Sequence, residues 1–73
     1  MPKSIYSKDY RAMIEKLKKA RQEAGLSQIE AASKLGKPQS YVSKVERGER
    51  RLDIAELKKL ASIYEKPTSF FID

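Results

Sequence analysis

Apolar residues recur at helical spacing in separated blocks, each closed by a glycine or a proline. From about Lys8, the residues Tyr10, Met13, Ile14, Leu17, Ala20 and Ala24 fall on one face with charges between them, which predicts an amphipathic first helix. Gly25 stops it, and Leu26 is placed for the hydrophobic contact that accompanies a glycine cap. Ser27 and Glu30 form an S-x-x-E capping box, so a second helix opens there, with Gln28 in its first turn, and ends at Gly36. A third helix is predicted from about Gln39 to Arg47, with Val42 and Val45 as its apolar face and Gly48 as its stop. Asp53 and Glu56 form a second capping box, opening a fourth helix with Ile54, Leu57, Leu60, Ala61 and Tyr64 as the buried stripe. Lys66-Pro67 breaks that helix, because the residue before proline disfavours the helical region. Thr68 to Ile72 is a short fifth helix or turn bearing Phe70 and Phe71. Residues 1–7 read as an N-terminal arm and residues 8–73 as one all-α, five-helix domain.

Within that pattern, the run from Ser27 to Gly48, SQIEAASKLGKPQSYVSKVERG, carries the most information. Ala32 is small where two helices must cross closely. Gly36 sits at a turn whose left-handed backbone is cheap only for glycine. Pro38 fixes φ at the entry to the next helix. Two short helices joined by a tight glycine-containing turn form a helix-turn-helix, whose second helix lies in the DNA major groove.

Composition narrows the alternatives. Seventy-three residues make one small domain whose core is marginal without a supplement. There is no Cys for a disulfide and no His for the usual zinc sites, which leaves tight helix packing and a second subunit. No apolar run approaches the ~20 residues that span a bilayer, and the N-terminus lacks a signal-peptide h-region. A soluble, cytoplasmic protein with no membrane partner is expected. The net charge is +6, and +4 of it falls between Lys34 and Arg51, where Glu46 and Glu49 are the acidic residues. That concentration points to phosphates and makes Arg47, Arg50 and Arg51 candidate backbone contacts. Without His, Cys, a glycine-rich phosphate loop or a carboxylate cluster, no catalytic residue, cofactor or metal site is expected, and the chain reads as no enzyme. A single domain of this size is also expected to carry no small-molecule sensing module.

The arrangement resembles the lambdoid repressor and Cro DNA-binding domain, the xenobiotic-response-element-like family of bacterial and phage regulators. The resemblance runs from about Ile14 to Phe71 and rests on Leu26-Ser27-Gln28, Glu30, Ala32, Leu35-Gly36, Gln39-Ser40, Val42-Ser43-Lys44-Val45-Glu46 and Gly48. It implies a lambda-repressor-like five-helix bundle, with helices 2 and 3 as the reading unit, acting on double-stranded DNA as a homodimer. It implies base contacts by Gln39, Ser40 and Lys44. Gln28 is similar to a family glutamine that binds a phosphate and braces the glutamine at position 39. It implies that Arg21 and Glu46 form an internal ion pair joining helix 1 to helix 3. Side-chain chemistry agrees with the base-reading roles: a glutamine amide both donates and accepts, which suits adenine N6 and N7, and a lysine reaches guanine O6 or N7.

The chain departs from that family at several positions. Ala31 stands where a leucine is usual and Ile29 where a polar residue is usual, so either helix 2 packs slightly rotated or Ile29 joins a contact surface. Lys37 replaces a usual valine. Pro38 replaces the usual Ser/Thr cap, a loss of about 1 kcal/mol to helix 3. Tyr41 is larger than the residue often found there and is expected, with Ser43, to press on the DNA backbone. Tyr64, Phe70, Phe71 and Ile72 are candidate dimer-interface residues, the alternative being that they cap the domain's own core. The functional expectation is a small dimeric repressor or controller-type autoregulator reading a pseudo-palindromic operator. A competing expectation is a protein-interaction module, an antitoxin or a coactivator-like bridge, built on the same fold.

Overall fold

Local capping chemistry decides where the helices begin and end. The computed structural model describes residues 7–72, and among them five helices and no strand occur: α1 Lys8–Glu23, α2 Gln28–Leu35, α3 Gln39–Glu46, α4 Ile54–Ile63 and α5 Ser69–Ile72. The expected N-terminal arm lies outside the described residues apart from Ser7. That residue belongs to the domain: its Oγ accepts from the Tyr10 N–H at 3.1 Å and caps α1. Both capping boxes form. Glu30 N–H donates to Ser27 Oγ at 3.0 Å while Ser27 N–H donates to Glu30 Oε1 at 2.8 Å. At α4, Glu56 N–H donates to Asp53 Oδ1 at 2.7 Å and Asp53 N–H to Glu56 Oε1 at 3.1 Å. Each box satisfies two backbone donors that a helix start would otherwise leave orphaned. Pro38 caps α3 without a side-chain hydrogen bond, as its chemistry requires.

The C-terminal ends repeat one device. At α2, the Gly36 N–H donates to Ser33 O at 3.1 Å and the Lys37 N–H to Ala32 O at 2.9 Å, with Gly36 at φ +76°. This pair of back-reaching bonds recovers carbonyls that the last turn leaves unpaired. The end of α4 makes the same bonds, Glu65 N–H to Ser62 O at 3.1 Å and Lys66 N–H to Ala61 O at 2.9 Å. Here the residue at positive φ, +59°, is Glu65 and not glycine. An L side chain in the left-handed region costs roughly 1–2 kcal/mol, partly offset by the entropy a glycine loses on folding. Glu65→Gly is therefore expected to raise stability by about 1 kcal/mol net, or about 4–8 °C in Tm for a domain of this size. Thermal unfolding checks it, and an unchanged or lowered Tm would contradict it.

Small side chains let the helices approach. Ala20, Ala31 and Ala32 are fully or almost fully buried, and α2 makes its largest contact with α3. Leu17, Val42, Val45, Leu57 and Leu60 fill the space around them. Leu26 and Leu52 precede the two capped helices and pack against this core, at the positions from which a hydrophobic residue staples onto the fourth helical residue, here Ala31 and Leu57. The staple accounts for Ala31 being inside while Ile29 is 67% exposed.

Four expectations change at this level. Ile54 is not in the buried stripe of α4: the Asp53 cap makes it the first helical residue, and it is 56% exposed. Ala24 lies beyond the last turn of α1 and is exposed. Tyr64 and Phe71, 3% and 2% exposed, are buried in the monomer's own core, the alternative to an interface role. Packing of α5 against α1 drives Phe71 into the core, with Phe70 edge-on to it at a ring-centroid distance of 5.1 Å. Of the four candidate interface residues, Phe70 and Ile72 keep exposed surface.

Candidate nucleic-acid interface

A continuous hydrogen-bonded chain runs from the core to the outer face of α3. Arg21, on α1 and only 8% exposed, donates from Nε to Glu46 Oε2 at 2.7 Å and from Nη2 to Glu46 Oε1 at 3.0 Å. Its Nη1 donates to the Leu26 carbonyl at 2.9 Å, tying the loop between α1 and α2 to the same point. The hydrogen bond to Glu46 holds the guanidinium above its ordinary range against the opposing effect of burial. Glu46 Oε1 accepts a further bond from Gln28 Nε2 at 2.9 Å, and Gln28 Oε1 accepts from Gln39 Nε2 at 2.9 Å. Three helices thus converge on a single carboxylate. Beneath it, burial pushes the Tyr64 hydroxyl up to about 12, with Glu46 adding to the shift and Arg21 opposing it.

What this chain leaves free matters more than what it uses. Gln39 is exposed and spends one amide hydrogen on Gln28, so its carbonyl oxygen and second amide hydrogen remain available. Those are the acceptor and donor that adenine N6 and N7 require. Gln28 likewise keeps one amide hydrogen for an anion beside α2. Ser40 and Lys44, one helical turn apart, are exposed on α3. Gln39, Ser43 and Arg47 form the neighbouring row at intervals of four.

Tyr41 departs from the expected backbone contact. It is 7% exposed, turned inward between α3 and the loop that follows it. Lys37 Nζ lies 5.5 Å from its ring centroid and the Arg50 guanidinium carbon 4.7 Å, both within cation–π range. Its hydroxyl is buried without a hydrogen bond of good geometry, although Glu56 and Arg50 flank it. Burial, ahead of the Glu56 carboxylate, pushes this phenol up to about 12. Tyr41 therefore supports Arg50 from below and presents little surface of its own.

The loop between α3 and α4 is fixed from several sides. Tyr10 on α1 accepts the Leu52 N–H at 2.9 Å and donates to the Arg50 carbonyl at 3.5 Å. Arg50 Nη2 donates to Glu56 Oε2 at 3.1 Å, so the carboxylate that caps α4 also holds this arginine. Arg47 donates from Nε and Nη2 to the two oxygens of Glu49, each at 3.1 Å, and from Nη1 to Ser43 Oγ at 2.8 Å. Arg51 makes no hydrogen bond or ion pair among the described residues. Lys37, Ser40, Lys44, Glu49, Arg50 and Arg51 contribute to the wall of one shallow depression on this face.

The structure brings together Gln28, Gln39, Arg21 and Glu46, and it leaves Ser40, Lys44 and Arg51 open to solvent. Tyr10, Glu49 and Glu56 are the positions that sequence reasoning missed. Tyr10 sits in an apolar stripe, and the signal that marks it is the need of a partly buried phenol for a polar partner. Among the described residues no group of acidic side chains could hold a metal, and no helix is long and apolar enough to cross a membrane. A family model described as helix-turn-helix matches residues 17–71 of the chain. No curated protein is similar enough to add a relative to that comparison.

Proposed function

The chain belongs to the helix-turn-helix family of the Cro/C1 type, the xenobiotic-response-element family, which binds DNA and is non-catalytic; from that membership we propose a sequence-specific, dimeric transcriptional regulator. The observation that carries the proposal is the Arg21–Glu46–Gln28–Gln39 chain, which presents an exposed amide on α3 in a fixed orientation. In this reading α3 enters the major groove, Gln39, Ser40 and Lys44 meet base edges, and Gln28 and Arg51 take phosphates. Ser43 holds the Arg47 guanidinium through its Oγ, and Arg50 supports the loop. A second copy packs through the exposed Phe70 and Ile72, so that two α3 helices read half-sites about 34 Å apart. Repression then follows from occupancy of an operator that overlaps a promoter.

Selection of bound fragments from a random duplex library at near-physiological salt tests the proposal. The expected product is a two-fold symmetric motif with half-sites one turn apart. An asymmetric single-site motif would remove the dimer, and the absence of any enriched motif would overturn sequence-specific reading.

A further inference from the structure

Glu49 is an anomaly on a basic surface. It lines the depression that Lys37, Lys44, Arg50 and Arg51 also line, where a carboxylate repels the phosphates that those side chains attract. It is also engaged by Arg47 in a particular way. The guanidinium presents Nε and Nη2 to the two carboxylate oxygens side by side, both at 3.1 Å. That is the two-pronged geometry with which an arginine grips a phosphate. The third direction, Nη1, is taken by Ser43 Oγ at 2.8 Å, which locks the head group in this pose. Arg47 follows Gln39 and Ser43 at intervals of four, so it stands at the C-terminal end of the row that begins with Gln39.

The pair has little to do for the fold. Its side chains are 56% and 55% exposed, and exposed ion pairs contribute at most about 1 kcal/mol to stability. Contrast Arg50, whose partner Glu56 is 20% exposed and caps α4 with its other oxygen. Hydrogen bonding from Arg47 is the largest influence holding the Glu49 carboxyl below its ordinary range.

We infer that Glu49 is an internal stand-in for a phosphate that keeps Arg47 off the DNA backbone, so that the interface makes one phosphate contact fewer than its arginines allow. This rests on the DNA-binding reading above. Phosphate contacts carry no sequence information, and they supply essentially all of non-specific affinity. Withholding one restrains sequence-blind adsorption and leaves base reading by Gln39, Ser40 and Lys44 intact.

The test is a salt titration of binding to a mixed-sequence duplex by the wild type, Glu49→Gln, Arg47→Gln and the double variant. Glu49→Gln is expected to bind more tightly and to steepen the plot of log affinity against log salt by about 0.9, the value of one added phosphate contact. Its advantage then shrinks roughly threefold between about 50 and about 200 mM salt. Arg47→Gln alone is expected to keep the wild-type slope, and the double variant to lose the steepening. Three results would overturn the inference: an unchanged slope in Glu49→Gln, a flatter slope in Arg47→Gln alone, or a steepening that survives in the double variant. The last would show general charge removal in place of a released arginine. No salt-dependent binding by the wild type would overturn the DNA-binding reading itself, a result distinct from these three.

Discussion

Glu46→Ala is expected to destabilise the fold by about 3–5 kcal/mol. The substitution strands Arg21, which is 8% exposed and would keep only the Leu26 carbonyl as a partner. Removing one member of a buried pair costs about 3–5 kcal/mol, because the remaining charge stays desolvated. A domain of this size has of order 4–11 kcal/mol in total, so the loss takes from about a quarter to all of it. Circular dichroism during urea or thermal unfolding checks the expectation, and a Tm within a few degrees of the wild type would contradict it. A compensating double change, Arg21→Met with Glu46→Leu, removes both charges and is expected to recover most of the stability, since apolar replacements of buried pairs are often neutral or better. The same double variant leaves the Gln28 amide without its anchor. Restored folding with diminished operator preference is therefore expected, which separates the packing role of the pair from its role in orienting the reading side chain.

Gln39→Ala is expected to erase operator preference without touching the fold. Each half-site loses a contact worth about 1–3 kcal/mol of discrimination, so a dimer loses about 2–6 kcal/mol, or roughly 30-fold to more than 10,000-fold. Affinity for mixed-sequence DNA stays near the wild-type value, because that term comes from phosphates. Stability changes little, as Gln39 is exposed and its only side-chain partner among the described residues is the Gln28 carbonyl. Parallel titrations on the selected operator and on a mixed-sequence duplex, at one salt concentration, measure the difference. An unchanged ratio between the two would remove Gln39 from the base-reading set.

The parts of this molecule that were legible in its sequence are those governed by neighbours a few residues apart. Ser27 with Glu30, and Asp53 with Glu56, announce helix starts because capping is a contact over three residues. Gly25, Gly36 and Gly48 announce stops for the same reason. The end of α4 was harder, since Glu65 takes the left-handed position with no glycine to signal it, and Lys66-Pro67 marked the break only approximately. Burial of the aromatic residues was only partly legible. Tyr41 and Phe71 read equally well as contact surfaces, whereas Tyr64 also stood in the buried stripe of α4; the packing of α5 on α1 and of the loop on α3 accompanies the burial of Phe71 and Tyr41. Of the bracing chain, the resemblance supplied the Arg21–Glu46 and Gln28–Gln39 pairs. The bond between Gln28 and Glu46 joins residues eighteen positions apart and unites the two pairs into one. The Arg47–Glu49 pair was missed because it spans the left-handed turn at Gly48, where helical spacing rules do not apply.

Ser40 and Lys44 make no side-chain hydrogen bond to the rest of the protein among the described residues, whereas Gln39 is roped through Gln28 to the buried ion pair. Under the proposed docking, this divides the reading helix into one inherited letter and two editable ones. Drift at positions 40 and 44 carries almost no folding penalty, so lineages can wander among related operators by single steps while keeping a common anchor base. Change at position 39 must be accompanied by change at position 28, which makes that letter the slowest part of the recognition code to evolve and the best place to look for a shared core among divergent binding sites.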